Sequence, residues 1–305
     1  MRILAVILVY HPELAVLQRL SASILQQTEG TLIVDNGSQW NREFLLGAIA
    51  NNLRAQLHFL RLHENVGVAA GHNRGIAWAR EHEFSHVLLM DQDSIPAPDM
   101  VEKLANELTR LTREGVRVAG VGPQCVDAYT GKVSAFVRFG RFSLKRVKCS
   151  PEQESKAIEV DFLISSGLLI PMRVIEEVGL MDEALFIDHV DTEWLNRAKH
   201  RGYRVFGVCG AVMRHSLGNA SLNFWFLRWR TIPLHNPERH YYVFRNSLVL
   251  LRRSNVPRQW IINDIVRLIY MAVFYPLFAP PRGQRIKFML KGVWHGLHGI
   301  QGPLR

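Results

Sequence analysis

The 305-residue chain is 48% hydrophobic and 21% charged, which excludes a globally disordered protein and suits one large α/β domain or two small ones. Its net charge of +10 lies mostly in residues 251–305, where nine Lys or Arg residues and one acid give +8, so the first 250 residues carry about +2. The cysteines, Cys125, Cys149 and Cys209, fit no metal-binding spacing and are expected to be reduced thiols, as in the cytosol.

Apolar segments alternate with helical patterns over residues 1–125. Residues 3–10 lack the flanking pattern and cleavage site of a signal peptide, and they are predicted to be the first strand. The predicted strands are residues 3–10, 31–34, 57–62, 87–90 and 118–121, and the predicted helices are residues 13–27, 41–53, 71–83 and 98–114. This alternation predicts an α/β fold with a parallel sheet and helices on both faces.

Residues 126–225 have a less regular pattern. Residues 126–160 are basic and aromatic, and we interpret them as a long loop or a small β-excursion near the substrate. The further predicted elements are helices at residues 173–178 and 192–201 and a strand at residues 203–209. We therefore expect one domain over residues 1–225, with two halves that meet near residue 125, and a helical tail over residues 226–305.

The tail combines apolar, aromatic and basic residues, so we expect an acidic partner. Residues 260–279 form an apolar run of about the length that crosses a bilayer, but Asp264 and Arg267 interrupt it and Pro276 lies near its end. This composition favours a helix lying at the membrane interface, where anionic lipids attract Lys and Arg, over a helix that spans the membrane. A buried amphipathic helix that closes the domain is the alternative.

The segment HVLLMDQDSIP, residues 86–96, contains the most informative motif. Its apolar run ends at Asp91-Gln92-Asp93, which predicts a buried strand with two carboxylates at its carboxyl end, where open α/β sheets bind ligands. Bare carboxylates are costly to bury, so we expect a cation beside them, with a divalent ion that holds a diphosphate as the favoured choice. The alternative is a polar loop that caps a helix.

Two further motifs follow predicted strands. Asp35 begins a DNGS sequence, where an acid can accept hydrogen bonds from a base or a ribose, or can simply form a turn. Gly67, Gly71 and Gly75 precede or begin a predicted helix, and their spacing suits close approach of a phosphate or tight helix packing. The spacing matches neither a P-loop nor the dinucleotide fingerprint, which disfavours a nicotinamide oxidoreductase.

The segment FIDHVDTEW, residues 186–194, places four ionisable side chains within six residues at a helix start. These side chains are those of Asp188, His189, Asp191 and Glu193. Acids there stabilise the helix dipole, but capping does not need so many, so one carboxylate is a candidate general base. His215, after the strand at residues 203–209, is a candidate neutral imidazole ligand or a structural histidine.

The ordered motifs VDNGS, NxGxAxGxNxG, LLMDQDSxP, SGxLI, FIDxVDxEW and RH resemble those of glycosyltransferase family 2 over about residues 1–220. The variants DQDSxP and FIDxVDxEW are similar to those of the bacterial rhamnosyltransferases in this family, which use dTDP-L-rhamnose. The resemblance implies a GT-A fold, an α/β nucleotide-binding sheet flanked by helices, with the basic apolar tail as a C-terminal extension. Residues 1–125 would be the nucleotide-sugar half and residues 126–225 the acceptor half.

The resemblance also implies roles for individual residues. Contacts to the nucleotide-sugar would come from Tyr10, Asp35, Asn65, Gly71, Asn73 and Asp91. Mg²⁺ or Mn²⁺ would be held by Asp93 and His215, and Asp191 would be the catalytic base. Val190 stands where the family usually has a glutamate, so Asp188, His189 and Glu193 stay candidates for sharing the base role or contacting the acceptor. The segment from Tyr241-Tyr242 to Arg245-Asn246 also resembles family members, but no chemistry follows from it.

The implied reaction is an inverting transfer of L-rhamnose from dTDP-L-rhamnose to a saccharide or a polyprenyl-diphosphate-linked acceptor. Such a reaction belongs to bacterial cell-surface polysaccharide synthesis, such as that of O-antigen, at the cytoplasmic face of the membrane. A UDP-sugar donor on the same fold is the first alternative. A non-enzymatic basic protein that binds nucleic acid is the second, and it is disfavoured because the charge lies on an apolar tail without a nucleic-acid-binding motif.

Overall fold

The structure is a computed structural model of the 305-residue chain. It describes all residues except 39, 129–130, 141–143, 151–155, 216–219, 227, 235 and 305, and it does not describe the side chains of residues 48, 220–226 and 228–234.

In the described part of the chain, strands and helices alternate up to residue 127, as the sequence predicts, except that a short unpredicted strand, Ser94–Pro96, directly follows the strand His86–Asp91. The strands are β1 (Ile3–Val9), β2 (Gly30–Asp35), β3 (Leu57–Arg61), β4 (His86–Asp91), β5 (Ser94–Pro96), β6 (Val118–Asp127), β7 (Phe136–Phe139), β8 (Leu144–Val147), β9 (Ala157–Val160), β10 (Leu168–Pro171), β11 (Arg204–His215), β12 (Ala220–Phe226) and β13 (Arg228–Leu234). The helices are α1 (Leu14–Ile24), α2 (Arg42–Ala48), α3 (Gly67–Glu81), α4 (Met100–Arg113), α5 (Met172–Val178), α6 (Val190–His200), α7 (Glu238–Leu250), α8 (Arg258–Phe278) and α9 (Arg282–Leu297).

The central sheet has the strand order β3-β2-β1-β4-β10-β6-β11-β5, with β9 also paired to β11. Strands β1 to β4 are parallel, but β10 runs antiparallel to both of its neighbours, β4 and β6. The strands predicted within residues 1–125 therefore run in one direction, as expected, and the later strand β10, which lies between β4 and β6, makes the sheet mixed. The reason is local: Gly167, at φ 80°, turns the chain into β10 beside the carboxyl end of β4, so β10 runs back along that strand.

Helices cover both faces of the sheet, as the sequence predicts. Residues of β1 alternate between two cores: Leu4, Val6 and Leu8 face the core that contains α3, α5 and α6, whereas Ile3 and Ile7 face the core that contains α1 and α4. A strand buried on both faces reads as a continuous apolar run, which explains the sequence of β1. The polar ends of these strands are consequently left at one edge of the sheet.

The excursion predicted at residues 126–160 contains a two-stranded hairpin of β7 and β8 followed by β9. Cys149 and Cys209 form a disulfide across this region, so the expectation of reduced thiols is wrong for this pair. The two residues are 60 positions apart, and the antiparallel pairing of β9 with β11 brings them together. Sequence spacing carries no signal for a bond that depends on strand pairing. Cys125 is a free, partly buried thiol.

The tail helices pack on residues 185–193 and on one another. Gly292 and Gly296 allow α9 to approach α7 closely, since a Cβ at Gly292 would lie 2.5 Å from the carbonyl oxygen of Tyr241. The apolar run predicted at residues 260–279 is the single helix α8, which buries Trp260 and Asp264 among others. By length and composition α8 could cross a membrane, and most of its surface is exposed. The domain boundaries stay a prediction.

Candidate active site at the edge of the sheet

Two carboxylates and an imidazole meet at the carboxyl edge of the sheet. Asp91 is the last residue of β4, and antiparallel pairing of β5 with β11 places Ser94 opposite His215. Ligand atoms of Asp91, Asp93 and His215 consequently lie within 4.8 Å of one another, and Nδ1 of His215 is 3.5 Å from Oδ1 of Asp93. The structure therefore brings together the three residues that the sequence connects with a metal site.

Two buried serines hold this cluster. The Ser166 hydroxyl donates to the Ser94 hydroxyl at 2.7 Å and accepts the backbone N–H of Asp91 at 3.0 Å. The Ser94 hydroxyl lies 2.7 Å from Nδ1 of His215. A hydrogen bond on one ring nitrogen fixes the orientation of an imidazole, so the serines form a supporting layer. Neither serine is among the predicted site residues, although the SGxLI motif that contains Ser166 was a signal.

The chemistry of the cluster suits a divalent cation. Burial raises the pKa of Asp91, and the neighbouring Asp93 carboxylate raises it further, whereas His215 lowers it. A cation between the two carboxylates would offset both the burial and the mutual repulsion. Carboxylate oxygens with an imidazole nitrogen form a ligand set that accepts Mg²⁺ or Mn²⁺. The residues present therefore fit the implied metal.

Asp191 lies in the first turn of α6 and is the predicted base. Its Oδ1 accepts the backbone N–H of Thr192 at 2.7 Å. Burial raises the pKa of its carboxyl to about 6, and the negative charges of Asp91 and Asp188 contribute in the same direction. A carboxyl with this pKa is ionised at neutral pH yet basic enough to accept a proton from an attacking hydroxyl.

Asp188 forms an ion pair with Arg239 of α7, whose Nε and Nη2 lie 3.1 and 3.0 Å from Oδ1. Desolvation lowers the pKa of Arg239, but the charges of Asp188, Asp91 and Asp191 outweigh it and raise that pKa overall. Arg239 thus brings positive charge to the acidic edge of the sheet. The sequence does not point to Arg239, because this residue belongs to the tail and is 51 positions from Asp188.

His189 and Glu193 face the tail and are not part of the cluster of Asp91, Asp93 and His215. Nε2 of His189 lies 3.1 Å from the Ser247 hydroxyl, and burial keeps the pKa of this imidazole well below its ordinary value. Glu193 is 2% exposed and forms ion pairs with Arg197 and Arg253. The structure therefore gives both side chains partners in α6 and in the tail.

Three of the predicted nucleotide contacts lie at or after the carboxyl ends of β1, β2 and β3, at the same edge of the sheet as Asp91. The Tyr10 backbone exchanges two hydrogen bonds with the side-chain amide of Gln92, and the Tyr10 ring is exposed. Asp35 is buried at the end of β2, accepts from Arg61 Nε at 3.2 Å, and lines a cavity of about 440 Å³. Oδ1 of Asn65 accepts from the side-chain amide of Asn36 and from the backbone of Gly67.

Gly71 and Asn73 make contacts inside the fold. A Cβ at Gly71 would lie 2.4 Å from Cδ1 of Leu8, so this glycine permits α3 to pack on β1. The amide of Asn73 is buried and bonds the backbone N–H and carbonyl of Met181 and the carboxylate of Glu183, all at 2.9 Å. These contacts fix the packing of α3 on β1 and on the segment that precedes α6, and the nucleotide contacts of Gly71 and Asn73 stay a prediction.

A second, mostly apolar cavity of about 170 Å³ adjoins the carboxylate cluster. Ser166 and His215 form one side of it, and Phe136 and Phe162 contribute aromatic surface. Phe136 belongs to the excursion at residues 126–160, so part of this excursion lies beside the site, as the sequence predicts.

Comparison with solved structures identifies the class of the fold. The structure of GalNAc-T7 with UDP, GalNAc and Mn²⁺ matches 98% of this chain with a TM-score of 0.59 and 13% identity, and the chain spans 57% of the length of that protein. TarS residues 1–349 from S. aureus match 98% of this chain and 92% of theirs, with a TM-score of 0.50 and 14% identity. These likenesses confirm the predicted GT-A fold of glycosyltransferases.

The sequence comparisons are more specific. The model for glycosyl transferase family 2 matches residues 5–179, more than half of the chain, so the chain belongs to that family, as its motifs predict. The dTDP-rhamnosyl transferase RfbF from Shigella flexneri is 30% identical over 300 residues, which are 98% of this chain and 96% of RfbF. Family and fold together make the protein a glycosyltransferase.

Proposed function

We propose that the protein is an inverting rhamnosyltransferase that moves L-rhamnose from dTDP-L-rhamnose to a saccharide or lipid-linked saccharide in bacterial cell-surface polysaccharide synthesis. The observation that carries the proposal is the sheet edge itself, where a ligand set for a divalent cation and a buried carboxyl of raised pKa lie together. The choice of donor is supported by the 30% identity to RfbF along nearly the whole chain.

In the proposed reaction Asp191 accepts the proton of an acceptor hydroxyl as its oxygen attacks the anomeric carbon. The bond from that carbon to the diphosphate breaks, the nucleoside diphosphate leaves with the electron pair, and attack from the opposite side inverts the anomeric centre. Because the pKa of Asp191 is about 6, its carboxylate form dominates at neutral pH. General-base catalysis typically contributes about 10²–10⁴-fold.

The residues that would hold Mg²⁺ or Mn²⁺ are Asp93 and His215, with Asp91 contacting the nucleotide-sugar. When bound, such an ion supplies Lewis-acid stabilisation of the diphosphate leaving group. Ser94 and Ser166 keep His215 and Asp91 in place, since both serines are buried and hydrogen-bonded to them. Arg239 adds positive charge beside Asp91 and Asp191.

The proposal is tested by calorimetric titration of the protein with dTDP-rhamnose and with UDP-sugars, each with and without Mn²⁺. We expect binding of the dTDP donor that depends on the metal and weak binding of UDP-sugars. Preference for a UDP-sugar would keep the fold and the site but overturn the donor assignment. Binding that is indifferent to Mn²⁺ would remove the metal from the proposal.

We also propose that the tail holds the enzyme at an anionic membrane surface, on the cytoplasmic face where a polyprenyl-linked acceptor would be reached. One side of α8 and α9 exposes apolar side chains at helical spacing, and these are Val266, Ile269, Val273, Leu277, Leu290 and Trp294. Residues 251–305 carry a net charge of +8. Apolar surface with neighbouring Lys and Arg is the composition of helices that lie in a membrane interface.

Flotation with vesicles that contain phosphatidylglycerol tests the tail proposal on the full chain. The double variant Ile269→Asp and Val273→Asp is expected to lose vesicle binding, because charges replace side chains that would enter the interface. Phe44→Asp is the matched control, since Phe44 is also an exposed apolar residue on a helix but lies in α2. Equal flotation of the double variant and the unchanged protein would overturn the membrane assignment.

A further inference from the structure

The segment just before Asp191 has an unusual backbone. Phe186, Asp188 and His189 have φ values of 64°, 63° and 63°, in the left-handed region that favours glycine. Side chains with a Cβ adopt this region only when surrounding contacts hold them there. Because His189 is the N-cap of α6 and Asp191 lies two residues later, this turn sets where the helix and its carboxylate begin.

One side chain of α7 satisfies most of the carbonyls in this turn. The Nδ2 group of Asn246 lies 3.0, 2.8 and 2.9 Å from the carbonyl oxygens of Leu185, Ile187 and Asp188, which share its two N–H donors. Asn246 is fully buried. Buried carbonyls need partners, so the amide stabilises the left-handed arrangement relative to other conformations of the turn.

Arg245, also fully buried, fixes that amide in turn. Its Nε donates to Oδ1 of Asn246 at 2.9 Å, which directs Nδ2 toward the turn. Its Nη2 donates to the carbonyl oxygen of Leu185 at 2.8 Å. A planar guanidinium that makes several directed hydrogen bonds is not replaced by the single ammonium of a lysine.

We propose that Arg245 and Asn246 are positioning residues for the glycosyl transfer, which hold the turn at residues 184–188 and thereby aim the Asp191 carboxylate at the acceptor. The inference rests on the proposed role of Asp191 as the base. It assigns a function to the Arg245-Asn246 pair of α7, which acts on the base through the backbone of the turn.

Asn246→Asp tests the proposal, because an oxygen of the same size replaces the donor and faces the three carbonyls. Misplacement of a reacting group by about 1 Å costs about 10²-fold in rate, so we expect kcat to fall by about 10–100-fold. The Kd for dTDP-rhamnose with Mn²⁺ should stay within about two-fold, since Asp91, Asp93 and His215 are held by strand pairing. Release of the turn would also hydrate Asp191, so the acid limb of the kcat–pH profile should move to lower pH.

The matched control is Val243→Ala, which truncates another buried side chain of α7, one that packs with α8 and α9 in a separate core cluster. It should leave kcat and the pH profile unchanged. If Asn246→Asp does not fold, Arg245→Lys provides the same measurement with a smaller change, and we expect about a five-fold or larger fall in kcat.

The outcomes separate this inference from the proposed function. A folded Asn246→Asp enzyme, or failing that Arg245→Lys, with unchanged kcat and pH profile would overturn the positioning role. A lower melting temperature with unchanged kcat would also overturn it, because it would show a purely structural role. If Asp191→Asn itself keeps its turnover, the assignment of Asp191 as the base is wrong, and this result leaves the contacts of Arg245 and Asn246 with the turn unaffected.

Discussion

The two acidic parts of the site are built in different ways. Asp91, Asp93 and His215 lie at strand ends, where the pairing of β5 with β11 and two buried serines fix their positions. Asp191 lies at a helix start that follows a left-handed turn, and that turn depends on hydrogen bonds from α7. The candidate cation ligands thus lie within residues 1–215, whereas residues of the tail hold the turn before Asp191.

The largest expected effect concerns the base. Asp191→Asn should fold and bind donor but lose about 10²–10⁴-fold in kcat, because an amide cannot accept the proton. In the unchanged enzyme kcat should fall about ten-fold per pH unit below pH 6, since the pKa of Asp191 is about 6 and its ionised form is the active one. The measurement is steady-state kinetics between pH 4.5 and 8, on the order of one point per half unit. Asp188→Asn serves as the comparison, and near-normal turnover of Asp191→Asn beside an inactive Asp188→Asn would move the base to Asp188.

The cation-binding part is tested by Asp93→Ala. Loss of one carboxylate ligand should abolish the gain in donor affinity that Mn²⁺ provides, and titration calorimetry with and without the metal measures this gain. Asp99→Ala is the control, because Asp99 is an exposed acid that pairs with Lys103 outside the cluster. A metal-dependent gain that survives in Asp93→Ala would refute the assignment of Asp93 as a ligand.

A smaller effect is expected for Ser166→Ala, which removes the support of Asp91 and Ser94. Loss of such supporting hydrogen bonds typically lowers metal affinity by about 10–100-fold. We therefore expect Mn²⁺ affinity to fall about ten-fold, measured by titrating Mn²⁺ and following donor binding. The Ser166 hydroxyl touches the cluster and not the turn before α6, so the kcat–pH profile at saturating metal should not move. A displaced profile would mean that the two parts of the site are not independent.

The smallest effect on function is expected for Gly71→Ala. A Cβ there would press on Leu8, and overpacking of this kind costs about 1–3 kcal/mol in the free energy of unfolding. Gly47→Ala is the control, because no atom lies within 4 Å of its added Cβ. Thermal melts measure the difference. Donor affinity should be unchanged in both variants. Weaker donor binding in Gly71→Ala would instead support the predicted contact of Gly71 with the nucleotide.

The sequence predicts much of this site because its residues belong to local patterns and to motifs that occur in a recognisable order along the chain. An apolar run that stops at Asp91 predicts a carboxylate at a strand end, and the motif order predicts the family and the GT-A fold. Tyr10, Asp35 and Asn65 also lie at strand or loop ends near that edge. For Gly71 and Asn73, by contrast, the side of α3 that each residue faces depends on the packing of that helix against β1 and the segment before α6.

What the sequence by itself determines is the alternation of strands and helices, the family, the acidic residues of the site and the basic apolar character of the tail. The alternation and the character of the tail follow from periodicity and residue type over short windows, and the family follows from ordered motifs that resemble those of glycosyltransferase family 2. Only the tertiary structure decides the mixed direction of the sheet, the Cys149–Cys209 disulfide, and the contacts of α7 with the turn before Asp191. Each of these joins residues that are distant in sequence, and such contacts depend on how whole elements pack, which no local pattern encodes.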